Sequence, residues 1–149
     1  MSLEIVNRKA TYLYFFEQTF EAGILLTGTE IKSIRAGQAN LSDAYCSFEK
    51  GELWAHHIHI SEYKEGNIQN HDPKRPRKLL LHRTELAKLE RKVTEKGKTI
   101  IPYRIFFNER GFAKVEIVLA SGKKSFDKRE SLKEKDQKRE LERNMNKSY

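Results

Sequence analysis

Over most of the chain apolar side chains recur at every second position, the spacing that puts them on one face of a β-strand. Residues 11–16 and 20–27 are rich in aromatic, β-branched and aliphatic side chains, and Glu17, Gln18 and Thr19 between them act as punctuation, so two early strands are predicted. The pattern changes between Thr29 and Gly37. There Thr29 serves as N-cap, Ile31 and Ile34 share one side and Gly37 stops a short helix, small enough to plug a barrel end. Residues 44–49, a Lys50-Gly51 turn and residues 52–60 form a hairpin, in which alternation places Trp54, His56, Ile58 and Ile60 on one face.

A long polar stretch from Ser61 to Lys78 contains Gly66, Pro73 and Pro76 and is expected to be exposed. After it, Leu86, Leu89 and Val93 recur with helical spacing, predicting a second helix over residues 84–96 that Gly97 ends. Two closing strands follow. Ile101, Tyr103, Ile105 and Phe107 share a face of the first, Ala113, Val115, Ile117 and Leu119 share a face of the second, and Asn108 to Gly111 makes the turn. Phe112, Lys114, Glu116 and Val118 then face away from the core. Five or six antiparallel strands with short helices between them suit a small, partly open barrel of the oligonucleotide-binding (OB) type. No internal repeat is present.

Composition sets the size of that barrel and its company. With 149 residues, 38% hydrophobic and 34% charged, the chain supports one modest core over residues 1–120 and leaves residues 121–149 as a tail. That tail carries ten Lys/Arg against six Asp/Glu, half of the net charge of +8, and only Phe126, Leu132, Leu141, Met145 and Tyr149 are apolar. So few apolar side chains do not offset a backbone ordering cost of about 1–2 kcal/mol per residue, which leaves the isolated tail unstructured. Yet residues 130–147 lack Gly and Pro, Ser131 and Glu134 form a capping box, and Glu134 and Lys138 stand four apart. Two readings fit: a solubilising tail, or a helix that forms only against a partner surface. The longest apolar run, Tyr12 to Phe16, is far short of the ~20 residues of a membrane span, and no cleavable signal opens the chain. A lone cysteine, Cys46, forms no internal disulfide and suits a buried position in a reducing, cytoplasmic setting.

The excess of positive charge attracts polyanions. Lys74, Arg75, Arg77, Lys78 and Arg83 occur with no acid between Asp72 and Glu85, stiffened by two prolines; this is either a phosphate-contacting loop or a solvated charge run. Lys114, on a strand, has a rigid base from which to meet a phosphate or to pair across the sheet. His56, His57 and His59 invite a metal reading, but alternation splits them between two faces and no Cys or acid in the run completes a tetrahedral set. Glycine-rich phosphate loops, a nucleophile elbow and paired catalytic carboxylates are all missing from the sequence, so neither enzyme activity nor a cofactor is expected.

Longer strings are more specific. Asn7-Arg8-Lys9-Ala10, Phe20-Glu21-Ala22-Gly23-Ile24, residues 28–37, Asn40-Leu41-Ser42-Asp43-Ala44-Tyr45, Asn70-His71-Asp72-Pro73, residues 75–82, Gly122-Lys123-Lys124 and Asp127-Lys128-Arg129 together resemble the SmpB family of bacterial SsrA-binding proteins, in family order over nearly the whole chain. The resemblance implies a monomeric ribosome-rescue factor that binds the tRNA-like domain of transfer-messenger RNA (tmRNA). In trans-translation such a factor stands in for the missing anticodon arm and delivers tmRNA to the small-subunit decoding centre and messenger channel of stalled ribosomes. It further implies RNA-binding roles for Glu21, Leu80 and Lys114, and a ribosome-acting tail beginning with Gly122, Lys123, Lys124, Asp127, Lys128 and Arg129, helical from Ser131 to about Met145 once inside the channel. A Glu can accept hydrogen bonds from base amino groups while a Lys meets phosphate, and Leu80 supplies apolar contact or packs in the core. Phe126 departs from members with a polar or histidine side chain at that position; it retains the capacity to stack on a base. The rival reading is a generic OB barrel that coats single-stranded nucleic acid.

Overall fold

The computed structural model describes residues 4–64, 70–94 and 97–122. In chain order these form β1 (Glu4–Val6), α1 (Ala10–Leu13), β2 (Tyr14–Ile24), α2 (Gly28–Arg35), β3 (Ala39–Asn40), β4 (Tyr45–Glu49), β5 (Glu52–His56), β6 (His59–Ile60), β7 (Arg77–Leu80), α3 (Arg83–Val93), β8 (Lys98–Phe107) and β9 (Ala113–Gly122). All strand pairings are antiparallel, in the order β1-β8-β4-β5-β7-β2-β9, and β9 pairs back onto β8. Six strands therefore close a ring, with β1 added along β8, which is the OB-type barrel the alternation predicts. Closure removes the open edges that would otherwise invite pairing with other chains. Ile34 of α2 and Leu89 of α3 are fully buried against the barrel interior, beside Leu53, Ile58, Ile60, Leu79, Ile100, Ile105 and Ile117.

Several local expectations change. Residues 11–16 and 20–27 do not make two strands: α1 takes the start, and one strand, β2, runs through Glu17-Gln18-Thr19 to end at Ile24. The polar triplet stays in the strand because β9 pairs with it from Tyr14↔Gly122 to Gly23↔Lys114, and a register irregularity between Phe16 and Gln18 absorbs the extra residue. Glu17 there pairs with Lys98. Helix α2 begins at Gly28, and its N-cap is Thr27 rather than Thr29, since Glu30 at the third helical position completes a capping box with Thr27.

The hairpin forms as expected on Lys50 and Gly51, at φ 53° and 79°, the left-handed pair that a tight two-residue turn requires. Its second strand is shorter than predicted. Leu53 and Ala55 point inward while Trp54 and His56 do not, and His57 at φ 63° turns the chain so that Ile58 and Ile60 are buried. The predicted shared face of Trp54, His56, Ile58 and Ile60 is thus split in two. A similar phase change occurs in β8. Pro102 has no N–H for the ladder, the register shifts between Pro102 and Arg104, and Ile101 and Tyr103 pack outside the barrel while Ile105 and Phe107 join its core. That outer cluster, with Ala10, Tyr14, Phe16 and Ala120, buries Val118, which alternation had turned to solvent.

Helix α3 matches the prediction in its buried face. Cys46 is buried, and burial raises its thiol pKa, which keeps it an inert small apolar side chain. Strand β9 carries two residues past the expected boundary, so Ser121 and Gly122 pair with Phe15 and Tyr14 in the sheet. Lys123, Lys124, Asp127, Lys128 and Arg129, and the helix expected from Ser131, lie outside the described residues.

Candidate nucleic-acid interface

Strand β2 lies between β7 and β9, and the register of the three strands assembles a site from residues far apart in the chain. Gly23 stands opposite Leu80 on one side and Lys114 on the other. Glu21 lies two residues from Gly23, on the same outward face. Because Gly23 has no side chain, the row is indented at its centre: a Cβ there would lie 3.4 Å from the Cβ of Leu80. The result is an open groove of about 290 Å3 lined by Glu21, Gly23, Leu80, Leu81, His82, Glu85 and Lys114.

Three sequence-predicted residues meet in this groove. Leu80 is 45% exposed, which removes core packing as the reason for a leucine there. Neither Glu21 nor Lys114 has a salt-bridge partner among the described residues; the nearby Glu116 is engaged instead by Arg104 at 3.4 Å. A free carboxylate, an exposed apolar side chain and a free ammonium on three rigid strands can accept from a base edge, cover a base or ribose, and meet a phosphate.

The basic run divides. Lys74 is exposed, and Lys78 reaches Glu52 at 3.0 Å while half-exposed. Arg75 and Arg77 turn the other way and converge on Glu30. Arg75 donates from Nη2 to Glu30 Oε1 at 2.6 Å and from Nε to Oε2 at 3.0 Å. Arg77 donates to Oε2 at 2.6 Å, to the Ile58 carbonyl at 2.7 Å and to the carbonyls of Asp72 and Pro73. Glu30 and Arg77 are both fully buried. The expected exposure of residues 61–78 therefore fails at Arg77, and also at His71, which is buried between the Thr29 hydroxyl and the Ile60 carbonyl. Burial alone would raise the Glu30 carboxyl. The hydrogen bonds from Arg75, the Thr27 backbone and Arg77, with the Arg77 charge, outweigh it and hold Glu30 below its ordinary value.

Glu30 is the residue that local reading missed. Thr27-x-x-Glu30 is a legible capping box, but nothing local announces arginine partners 45 and 47 positions away. Arg83 opens α3 and is exposed. Among the histidines, His56 bonds the Ser47 hydroxyl at 2.8 Å, and no cluster of three or more His, Cys, Asp or Glu that could hold a metal is found among the described residues.

Comparison with known proteins gives the family. The family described as SmpB protein matches residues 4–147. The SsrA-binding protein of Moorella thermoacetica is 55% identical over 137 residues, covering 92% of this chain and 88% of the relative; that of Phocaeicola vulgatus is 55% identical over 141 residues, covering 95% and 94%. A chain from the structure "tmRNA-SmpB: a journey to the center of the bacterial ribosome" superposes with a TM-score of 0.71 at 47% identity, covering 88% of this chain and 94% of the other.

Proposed function

Since the chain belongs to the SmpB family of SsrA-binding proteins, we propose that it binds tmRNA through the groove between β7, β2 and β9 and takes it to stalled ribosomes in trans-translation. It acts as a binding factor rather than a catalyst, in the cytoplasm. The observation that carries the reading is the convergence of Glu21, Leu80 and Lys114, one each from β2, β7 and β9, with no salt-bridge partner for either charge among the described residues. Lys114 meets a backbone phosphate, Glu21 accepts from a base donor, and Leu80 covers the apolar part of a base or ribose. Lys78, two residues before Leu80 on the same face of β7, adds positive charge beside the groove, and the exposed Lys74 adds more from the segment before β7. Arg75 and Arg77 support the loop that carries them.

A generic single-strand coat would need a groove lined with successive aromatic rings; among the residues lining this groove only the imidazole of His82 could stack on a base, which favours recognition of a folded RNA. Residues beyond Gly122 act on the ribosome, with Lys123, Lys124, Asp127, Lys128 and Arg129 leading a basic segment that becomes helical in the phosphate-lined messenger channel, where its charges gain partners and the ordering cost is offset. The deciding experiment is gel-shift binding of the full chain to tmRNA and to an ordinary tRNA at stated salt, alongside a chain ended after Gly122. Tight, tmRNA-selective binding that survives the truncation, with tagging on stalled ribosomes lost, supports the division of labour. Equal binding of tmRNA, tRNA and poly-pyrimidine RNA would overturn it.

A further inference from the structure

The outward face of the barrel continues past the groove, across β9 to β8 and β1. Glu21 of β2 stands opposite Glu116 of β9, and Glu116 in turn stands opposite Arg104 of β8. The neighbouring row runs Gly23, Lys114, Phe106 and Glu4. Glu116 therefore borders both charges of the groove. It lies two residues from Lys114 on the same face of β9, a backbone spacing of about 7 Å. Across the ladder it faces Glu21, where directly opposed Cβ atoms are about 5 Å apart.

Left to itself, this carboxylate would act against the groove twice. A lysine stem is long enough to bring its ammonium onto a carboxylate at that spacing, which would tie up the charge that a phosphate needs. It would also set a second negative charge opposite Glu21, and like charges directly opposed on a sheet repel each other. The structure turns Glu116 the other way. Arg104 donates from Nη2 to Glu116 Oε2 at 3.4 Å and from Nη1 to Glu4 Oε1 at 2.9 Å, and its guanidinium lies over the Phe106 ring, 4.3 Å from the centroid. Two edges of the planar fork meet two carboxylates while its face meets a ring, a combination that a lysine ammonium does not offer. The side chains of Arg104 and Glu116 are each 28% exposed. An ion pair that accessible to water adds little to folding, so holding the barrel together does not account for it.

We propose that Arg104 is a positioning residue of the groove: it holds Glu116 toward β8, which leaves Lys114 free for a phosphate and Glu21 free for a base donor. Arg104 acts through Glu116 and does not itself contact RNA. Phe106 and Glu4 fix the guanidinium from its face and its far edge, so the fork is already in place when RNA arrives. The inference rests on the groove reading above and adds to it a residue outside the groove.

The test is the affinity of the full chain for tmRNA, measured by gel shift over a series of salt concentrations. Arg104→Ala should weaken binding by about fivefold, the weight of one partly exposed ion pair. Glu116→Gln alone should bind no more weakly than the wild type. Combined with Arg104→Ala it should recover most of the loss, because the carboxylate that would turn on Lys114 is gone. In a Lys114→Ala background Arg104→Ala should lose most of its effect, as coupled sites do. Arg104→Gln, which keeps a planar group over Phe106, takes the place of the alanine variant if thermal unfolding shows that variant to be poorly folded. A direct phosphate contact by Arg104 would give a loss that Glu116→Gln does not repair and a shallower salt slope that persists in the double variant. That result, or undiminished binding by Arg104→Ala, overturns the proposal. If Lys114→Ala binds tmRNA as tightly as the wild type, the groove reading falls and the positioning role with it. If Lys114→Ala weakens binding while the loss from Arg104→Ala is absent or unrescued, the positioning role alone falls.

Discussion

Two halves of one basic run, ten residues from Lys74 to Arg83, have opposite fates. Arg75 and Arg77 are drawn onto Glu30, and Arg77 is removed from water altogether, whereas Lys74, Lys78 and Arg83 remain at the surface. Residue type fits position. The planar guanidinium offers several donors in a fixed fork and is more weakly hydrated than an ammonium, so it is the cation that a fold can bury against a carboxylate. Lysine, a compact and strongly hydrated charge, is left for solvent or phosphate. A charge count along the chain therefore overstates what is available to RNA. The partner that withdraws a charge can sit 45 positions away.

The largest effect that tests this contrast is expected from Glu30→Gln. It leaves the buried Arg77 guanidinium without its counter-charge, a change of about 3–5 kcal/mol by the usual cost of breaking a buried pair, measured by denaturant unfolding. A loss below about 1 kcal/mol would mean that water or another acid compensates Arg77. Acid should act on the same cluster. Glu30 is held below its ordinary value of 4.5 in the folded state, so its contribution is fully present above that pH and is lost as pH falls through the unfolded and then the folded value. Unfolding followed from pH 6 to pH 3 should show this acid limb, and it should be shallower in Glu30→Gln; identical limbs would place the acid-sensitive group elsewhere.

Of intermediate size is Lys114→Ala. It should weaken tmRNA binding by about tenfold and reduce the logarithmic salt slope by about one phosphate's share, with thermal stability unchanged. An unchanged slope would make Lys114 a structural residue. Lys78→Ala should have the smallest effect on folding, within about 0.5 kcal/mol, because its pair with Glu52 is solvent-screened. Any fall in RNA affinity from that variant then reports a lost phosphate contact.

Much of the barrel was legible in the sequence. The 2-residue period locates the strands, Lys50-Gly51 the tight turn, and Leu86, Leu89 and Val93 the buried face of α3. The errors cluster where pairing overrides the local pattern. Glu17-Gln18-Thr19 look like a break but are carried through by the β9 ladder, Pro102 reverses the phase of β8, and His57 reverses that of the segment after β5. For the site, Glu21, Leu80 and Lys114 were named through the family resemblance of their surrounding strings. Alternation alone marks only Lys114, as an outward lysine on a strand; it marks neither Glu21 nor Leu80, since an exposed leucine and a single acid are ordinary surface residues.

Alternation, turn residues and net charge, all properties of neighbours along the chain, determine that this protein makes a small cationic barrel, because strand geometry and chain stiffness act over a few residues. Which charges face water was decided only by tertiary structure. Glu30 meets Arg75 and Arg77, and Gly23 lines up with Leu80 and Lys114, because barrel closure sets the registers between distant strands. A buried charge persists only where closure delivers its partner within hydrogen-bond distance.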